Sequence, residues 1–127
     1  MKQRTTALLF VLGGGLVGSA GRVVIAELVQ RTEGGWPLST LGVNLIGAFV
    51  LAAFLARRER AVSRPYAVEL WAIGVLGSFT TFSALSFETF HLLDGGNGGI
   101  AAQYVLASTL GGVALAFMGD ALGRRMA

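Results

Sequence analysis

The feature that most constrains this chain is a set of four long apolar segments separated by short polar links. A helix that crosses a bilayer needs about 20 predominantly apolar residues, and each segment is long enough. Only 13% of the 127 residues are charged, about half the fraction that is usual in a soluble domain. We therefore predict an all-α membrane protein with a single transmembrane domain over residues 1–127 and spans at about 6–29, 38–56, 67–90 and 100–122.

The ten Lys and Arg residues lie almost entirely outside these spans. This distribution indicates membrane topology rather than a phosphate-binding face, so we expect no nucleic-acid partner. One face holds eight cations and the opposite face holds only Arg31. Because cytoplasmic loops carry the excess of Lys and Arg, we expect a multi-pass protein of the cell (plasma or inner) membrane with both termini in the cytoplasm. The eight cations are Lys2, Arg4, Arg57, Arg58, Arg60, Arg64, Arg124 and Arg125.

Residue composition excludes several kinds of chemistry. The chain has no cysteine and a single histidine, His91. Disulfides, thiolate metal sites, cysteine nucleophiles and multi-histidine metal centres are therefore excluded. The sequence also offers no acid, base and nucleophile within reach of one substrate, so we do not expect an enzyme.

Three spans carry narrow stripes of small or polar residues at helical spacing. Such stripes commonly let helices pack closely, with Ser, Thr and Asn forming hydrogen bonds between helices. Arg22 and Asn44 fit this explanation less well, because a charged or amide side chain at membrane depth is costly without a partner or water. They favour a wet cavity, although Arg22 also has the length to reach a headgroup. The stripes are Gly14, Gly18 and Arg22; Thr40, Asn44 and Ala48; and Tyr104, Ser108 and Gly112.

Small and hydroxyl residues crowd the middle of the third span, and this composition is compatible with two structures. One is a helix broken at membrane depth, whose free backbone groups line water, protein or an ion. The other is a continuous helix whose hydroxyls bond back to the preceding turn. Phe79, Phe82 and Phe87 lie beside this run; a ring edge can meet an anion, but such rings more often pack in the core or against lipid. The crowding residues are Gly74, Gly77, Ser78, Thr80, Thr81, Ser83 and Ser86.

Motifs in the first three spans match a known pattern. They are Gly14-Gly15 through Gly18 to Arg22; Thr40-Leu41-Gly42-Val43-Asn44 with Gly47; and Gly77-Ser78-Phe79-Thr80-Thr81-Phe82-Ser83. With these motifs the chain resembles the Fluc (CrcB) fluoride channels over nearly its whole length, and the Thr-Thr-Phe-Ser run is the most specific part. The resemblance implies a fluoride-selective channel that lets fluoride leave the cytoplasm by passive permeation and so protects the cell from its toxicity.

The resemblance also implies a dimer of antiparallel (dual-topology-type) four-helix subunits in the lipid membrane, a third helix broken at mid-membrane, a pair of fluoride pores and a central structural sodium ion. Backbone carbonyls of Gly77 and Thr80 would bind the sodium. Asn44 corresponds to the pore-lining asparagine, Phe82 to the first ring of an aromatic pair, and Arg22 to the vestibule arginine. The remaining pore positions are Thr81, Ser83 and Ser108 on the polar track, Tyr104 beside it, and Glu88, which resembles an acidic residue after the aromatic pair.

Two features depart from the family pattern. Leu85 stands where the pattern TTFSTF has its second ring, so no positive ring edge faces an anion there. The bias of eight cations against one is also large for a chain that inserts in both directions. The partner in the dimer is therefore either a second copy of this chain or an inverted paralog, with one pore degraded at Leu85.

Two other functions remain open. A small proton-coupled exporter of organic cations also has four helices and an antiparallel dimer, but it needs a mid-membrane carboxylate in its first span. Glu27 is the only acidic residue in that span and lies near its end. A non-conducting membrane assembly subunit fits the glycine-rich faces, yet it leaves Arg22, Asn44 and the Thr-Thr-Phe-Ser run unexplained.

Overall fold

A computed structural model describes residues 2–29, 35–58 and 65–126. This described part is helical and contains four spans long and apolar enough to cross a membrane. The prediction of an all-α, multi-pass membrane protein is confirmed. Arg31, Arg60 and Arg64, which entered the charge comparison, lie outside the described residues. The spans are α1 (Lys2–Leu28), α2 (Leu38–Arg58), a third span (Val68–Asp94) that comprises the segments α3 and α4, and α5 (Gly98–Arg125).

The third span changes conformation at Thr80 and Thr81, here termed the break. Before it, α3 consists of the π-helical stretch Val68–Leu76 and one further turn, Gly77–Phe79. Thr80 (φ −80°, ψ 157°) and Thr81 (φ −152°, ψ 120°) both have extended backbone. After them, α4 (Phe82–Asp94) continues as an ordinary α-helix. The ladder of helical hydrogen bonds is therefore interrupted between two aromatic residues.

Hydrogen bonds hold the two helix ends that flank the break. The carbonyl of Leu76 accepts from both the backbone N–H and the hydroxyl of Thr80, each at 3.1 Å. The hydroxyl of Thr81 accepts from the backbone N–H of Ala84 at 3.2 Å, which caps the start of α4. Thr is suited to both tasks because its short hydroxyl competes with the backbone for nearby partners.

Glycines bring the helices together in two tightly packed pairs. A Cβ atom at Gly14 or Gly18 of α1 would overlap the backbone of α3, so the two backbones are in direct contact. Gly119 and Gly123 of α5 lie in the same way against the backbone of α2. Small residues at such contacts permit the close approach that stabilises helices in lipid, where the hydrophobic effect does not drive them together.

Few large side chains are buried in the described part of the chain. One cluster of buried residues, Leu92, Ala101 and Tyr104, lies between α4 and α5, and Leu85 packs against it. Most other large apolar side chains point outward, as expected when lipid covers the surface. The spans are therefore held by close helix contacts and a few polar interactions.

Candidate functional site

A groove of about 340 Å³ lies between α2 and the break. On α2 it is lined by residues at spacings of three, four and seven from Asn44, which place them on one helix face. On the third span it is lined by the break and the first turn of α4. We term it the break groove; its lining residues are Asn44, Gly47, Ala48, Leu51, Thr80, Thr81, Phe82 and Leu85.

Asn44 and Thr81 form two hydrogen bonds across the break groove. The Asn44 Nδ2 donates to the Thr81 carbonyl at 3.0 Å, and the Thr81 backbone N–H donates to Asn44 Oδ1 at 2.8 Å. The amide thus pairs with both backbone groups that the interrupted helix leaves free at this residue. Because an amide nitrogen carries two N–H groups, one donor of Asn44 has no partner among the described residues.

The shape of the break groove depends on Gly47 and Phe82. A Cβ atom at Gly47 would overlap the methyl group of Thr80, so a larger residue there would force the Thr80 side chain to shift. Phe82, the first residue of α4, is 80% exposed and presents its ring at the groove wall. Leu85, one turn further on, is half-buried because it also packs against the Tyr104 cluster. The wall therefore has one aromatic ring followed by an aliphatic side chain.

The carbonyl oxygens of Gly77 and Thr80 receive no hydrogen bond from any other described residue. Uncharged backbone oxygens of this kind, freed where a helix is interrupted, are suitable ligands for a monovalent cation. Three neighbouring carbonyls are occupied instead: Thr80 donates to Leu76, Arg22 Nε to Ser78 at 3.2 Å, and Asn44 to Thr81. Within the described ranges, no group of His, Asp and Glu side chains offers an alternative metal site.

The buried carboxylate of Glu88 connects α4 with α2 and α5. Glu88 on α4 is 6% exposed, and its Oε1 accepts from the Thr40 hydroxyl at 2.9 Å. Its Oε2 accepts from the hydroxyl of Tyr104, a wholly buried residue on α5, at 2.7 Å. Hydroxyl donors on both oxygens offset part of the cost of burying the acid. None of these three hydrogen-bonded residues lines the break groove.

The other two hydroxyls of the expected polar track have different surroundings. Ser83 is exposed at the start of α4, and its hydroxyl lies 3.1 Å from that of Thr81. The Ser108 hydroxyl oxygen on α5 is buried, and no other described residue forms a hydrogen bond with it. Buried polar atoms normally have a partner, so this oxygen marks a place where a water or an ion would be stabilised.

Sequence reasoning named most of the break groove but not all of it. The structure brings Asn44, Thr81, Phe82 and Leu85 together, whereas Arg22 on α1 contacts the Ser78 carbonyl in the last turn of α3, just before the break. The lining residues that were not assigned roles were Gly47, Ala48 and Leu51, although their spacing from Asn44 is a signal that indicates them. Thr40 was also missed as the partner of Glu88, because residues 48 positions apart give no local pattern.

Four spans long and apolar enough to cross a membrane, with a groove beside an interrupted helix that Asn44 bridges, define a multi-pass membrane protein. A family model described as "CrcB-like protein, Camphor Resistance (CrcB)" matches residues 9–120. The chain therefore belongs to the CrcB family, and the resemblance inferred from its motifs is confirmed.

Curated relatives cover nearly the full length of the chain. It is 45% identical over 117 residues to a "Fluoride-specific ion channel FluC" of Thermus thermophilus, a match that covers 91% of this chain and 93% of the relative. It is 40% identical over 114 residues to "Fluoride-specific ion channel FluC 2" of Moorella thermoacetica, covering 89% and 93%. A "Fluoride-specific ion channel FluC" of Caulobacter vibrioides is 40% identical over 123 residues, covering 94% and 96%. All three are named as ion channels rather than enzymes.

Proposed function

We propose that this chain is a subunit of a fluoride-selective channel through which fluoride leaves the cytoplasm by passive permeation, so that the cell is protected from fluoride toxicity. The observation that carries the proposal is the identity of 45% over 91% of the chain to a relative named as a fluoride-specific channel. The hydrogen-bonded break beside an open groove is the physical feature that suits the activity.

Fluoride is small and holds its water tightly, so a pore must replace that water with hydrogen-bond donors. The break groove offers the second N–H of Asn44 and the hydroxyl of Thr81, with Ser83 next to it. Phe82 adds the positive edge of an exposed ring. The buried Ser108 hydroxyl on α5, which has no partner among the described residues, is a further donor outside the break groove. Leu85 contributes no donor, which makes its side of the path the weaker one for an anion.

Charged groups flank this path without lining the break groove. Arg22 attracts the anion towards the break from α1, while its Nε remains on the Ser78 carbonyl. Glu88 would repel fluoride if it were open to the path, but its oxygens are bonded by Thr40 and Tyr104. The buried carboxylate fixes the Tyr104 hydroxyl in place and keeps its own charge away from the anion.

A sodium ion fits the free carbonyls of Gly77 and Thr80, which would hold it at the subunit interface and at mid-membrane. Two oxygens are too few to surround a cation, whereas a two-fold pair of chains doubles the number. When bound, the ion would neutralise carbonyl dipoles and join the subunits. We take the dimer to be antiparallel, as the family resemblance implies, with a two-fold axis in the membrane plane that brings the two breaks together.

The partner in this dimer is a second copy or an inverted paralog. The charge bias of eight cations to one favours a fixed orientation with both termini in the cytoplasm. Because the chain has no cysteine, Met126→Cys gives a unique label site at an exposed position. We expect a membrane-impermeant maleimide to label it only after the cells are permeabilised. Labelling of about half the chains from outside would instead indicate insertion in both directions and a homodimer.

The channel activity is tested by reconstituting the purified chain in liposomes loaded with potassium fluoride, with a fluoride electrode outside and valinomycin to carry potassium. We expect rapid fluoride release and little chloride release. Absence of release, or equal release of chloride, would contradict the channel proposal and favour the exporter or the non-conducting subunit. Robust release from this chain alone would show that a paralog is not required.

A further inference from the structure

A second groove lies between α2 and α3 and shares no lining residue with the break groove. Its volume is about 290 Å³, and its exposed lining is entirely apolar. Water gains little in such a space because it finds no polar partner there. We term it the apolar groove; its lining residues are Val50, Phe54, Trp71, Val75, Leu76 and Phe79.

Two arginines lie at one end of the apolar groove. Arg57 and Arg58 follow Val50 by seven and eight positions, so all three lie near the same face of α2 as Phe54. Arg58 is half-buried. Neither guanidinium forms a hydrogen bond or an ion pair with another described residue. Within the described residues, this end of the groove therefore carries two arginines that form no ion pair.

The same end carries an amphipathic ring. Trp71 lies in the first turn of α3, which starts at the end of the molecule where α2 finishes, and it is 51% exposed. Indole rings are stable at headgroup depth because they combine an apolar body with an N–H donor. From Trp71 the groove continues past Val75 to Phe79, next to the break. Its axis thus runs from the membrane surface towards the bilayer interior.

We propose that the apolar groove binds one acyl chain of an anionic phospholipid, whose phosphate group contacts Arg57 and Arg58. The groove supplies an apolar surface of the right orientation, and the arginine pair discriminates against zwitterionic lipids by charge. Phe79 forms the deep end of the groove and also lies 3.7 Å from the Cβ position of Gly21 on α1. A bound acyl chain therefore supports α3 where it meets the break. The proposal depends on the membrane location of the chain and goes beyond fluoride conduction.

Tryptophan fluorescence can detect this lipid directly. The chain has two tryptophans, so Trp36→Phe leaves Trp71 as the sole reporter. This variant is placed in zwitterionic vesicles that contain a minor, equal fraction of either dibrominated phosphatidylglycerol or dibrominated phosphatidylcholine, whose bromine atoms quench nearby indoles. We expect stronger quenching by the anionic lipid, with each arginine contributing roughly a fivefold preference. Equal quenching by the two lipids would overturn the proposal.

Matched charge variants separate a binding site from general surface attraction. Arg57→Gln with Arg58→Gln is expected to remove the preference for the anionic lipid. The control pair is Arg124→Gln with Arg125→Gln at the end of α5, which runs parallel to α2 and finishes on the same side. We expect this control to keep the preference. A similar loss in both pairs would mean that the arginines act only through surface potential, and the proposal would be wrong.

Val50→Phe tests the groove itself, because Val50 is 40% exposed and a larger side chain there fills the groove without crowding a helix contact. We expect reduced quenching by the anionic lipid with unchanged helix content by circular dichroism. Undiminished quenching in Val50→Phe would overturn the proposal. So would the absence of quenching of Trp71 by either lipid in the Trp36→Phe protein, since that result would place a second protein chain in the groove. Both readouts are independent of fluoride flux, so failure of the channel proposal would not alter them.

Discussion

The two halves of the third span are held by different kinds of contact. α3 lies directly against α1, because Gly14 and Gly18 leave no side chain between the two backbones. α4 is held instead by hydrogen bonds from Thr40 and Tyr104 to the buried carboxylate of Glu88. The first half depends on the absence of side-chain volume, and the second depends on polar groups that find partners.

The difference shows what the break accomplishes. A continuous helix has one axis, so contacts at one end also fix the other end. The extended residues Thr80 and Thr81 allow each half to adopt the position that its own neighbours favour. Asn44 then holds the junction by pairing with both backbone groups of Thr81. The free carbonyls of Gly77 and Thr80 therefore precede Thr81 in the chain, and the ring of Phe82 follows it.

The largest effect is expected from Gly18→Ala, which disturbs the packing of α3 against α1. The new Cβ would overlap the Val75 carbonyl oxygen and lie 3.1 Å from the Phe79 backbone nitrogen, and backbone atoms can yield only if the helices separate. We expect a loss of about 3 kcal/mol in the free energy of unfolding in detergent. Gly13→Ala is the matched control, because nothing lies within 4 Å of its Cβ position. An equal loss in both variants would contradict direct backbone contact.

The next largest effect is expected from Asn44→Asp at the junction. A carboxylate accepts but does not donate, so the Thr81 carbonyl loses its partner and an anion faces both that carbonyl and the groove. The unpaired group costs about 1–3 kcal/mol, and repulsion should lower fluoride flux in liposomes by about tenfold or more. Ser86→Ala serves as the control, since this exposed hydroxyl bonds only within α4. Unchanged flux in Asn44→Asp would show that the amide does not face the anion.

Tyr104→Phe tests the hydrogen bonds that hold α4 and should have a smaller effect on stability. It removes the hydroxyl that donates to Glu88 Oε2 while keeping the buried ring. A hydrogen bond to a charged group contributes about 1.5–3 kcal/mol, and we expect a loss at the lower end of this range in thermal or denaturant unfolding. Thr109→Val is the control on the same helix, because its hydroxyl bonds only to the Val105 carbonyl. A negligible loss would mean that packing rather than the carboxylate holds α4.

Arg22→Gln is expected to have the smallest effect on stability. The Nε of Arg22 donates to the Ser78 carbonyl at 3.2 Å, which gives the packed half one polar tether. We expect a loss of about 1 kcal/mol or less in the free energy of unfolding, because the glycine contacts remain. A loss larger than that of Gly18→Ala would mean that this hydrogen bond, rather than the glycine contacts, holds α3 against α1.

Hydropathy alone determined the number of spans and the fold class, because a lipid-exposed helix satisfies its backbone internally and needs no distant partner. The helices extend beyond the predicted spans: α4 continues to Asp94, past the span limit near 90, and α1 begins at Lys2, before the limit near residue 6. Polar residues at these ends extend the helices beyond the apolar stretch, and a hydropathy profile does not register them as helix.

Tertiary structure decided what the sequence left open in the third span. Its Ser, Thr and Gly residues were compatible with both a broken and a continuous helix, since threonine hydroxyls serve either one. The partner that satisfies the interrupted backbone is Asn44, 37 positions away from Thr81. Likewise, the sequence indicated that Glu88 corresponds to an acidic residue after the aromatic pair, but its burial depends on Thr40 and Tyr104 from two other helices. The sequence determined which residues cross the membrane, and long-range hydrogen bonds determined where the chain departs from a helix.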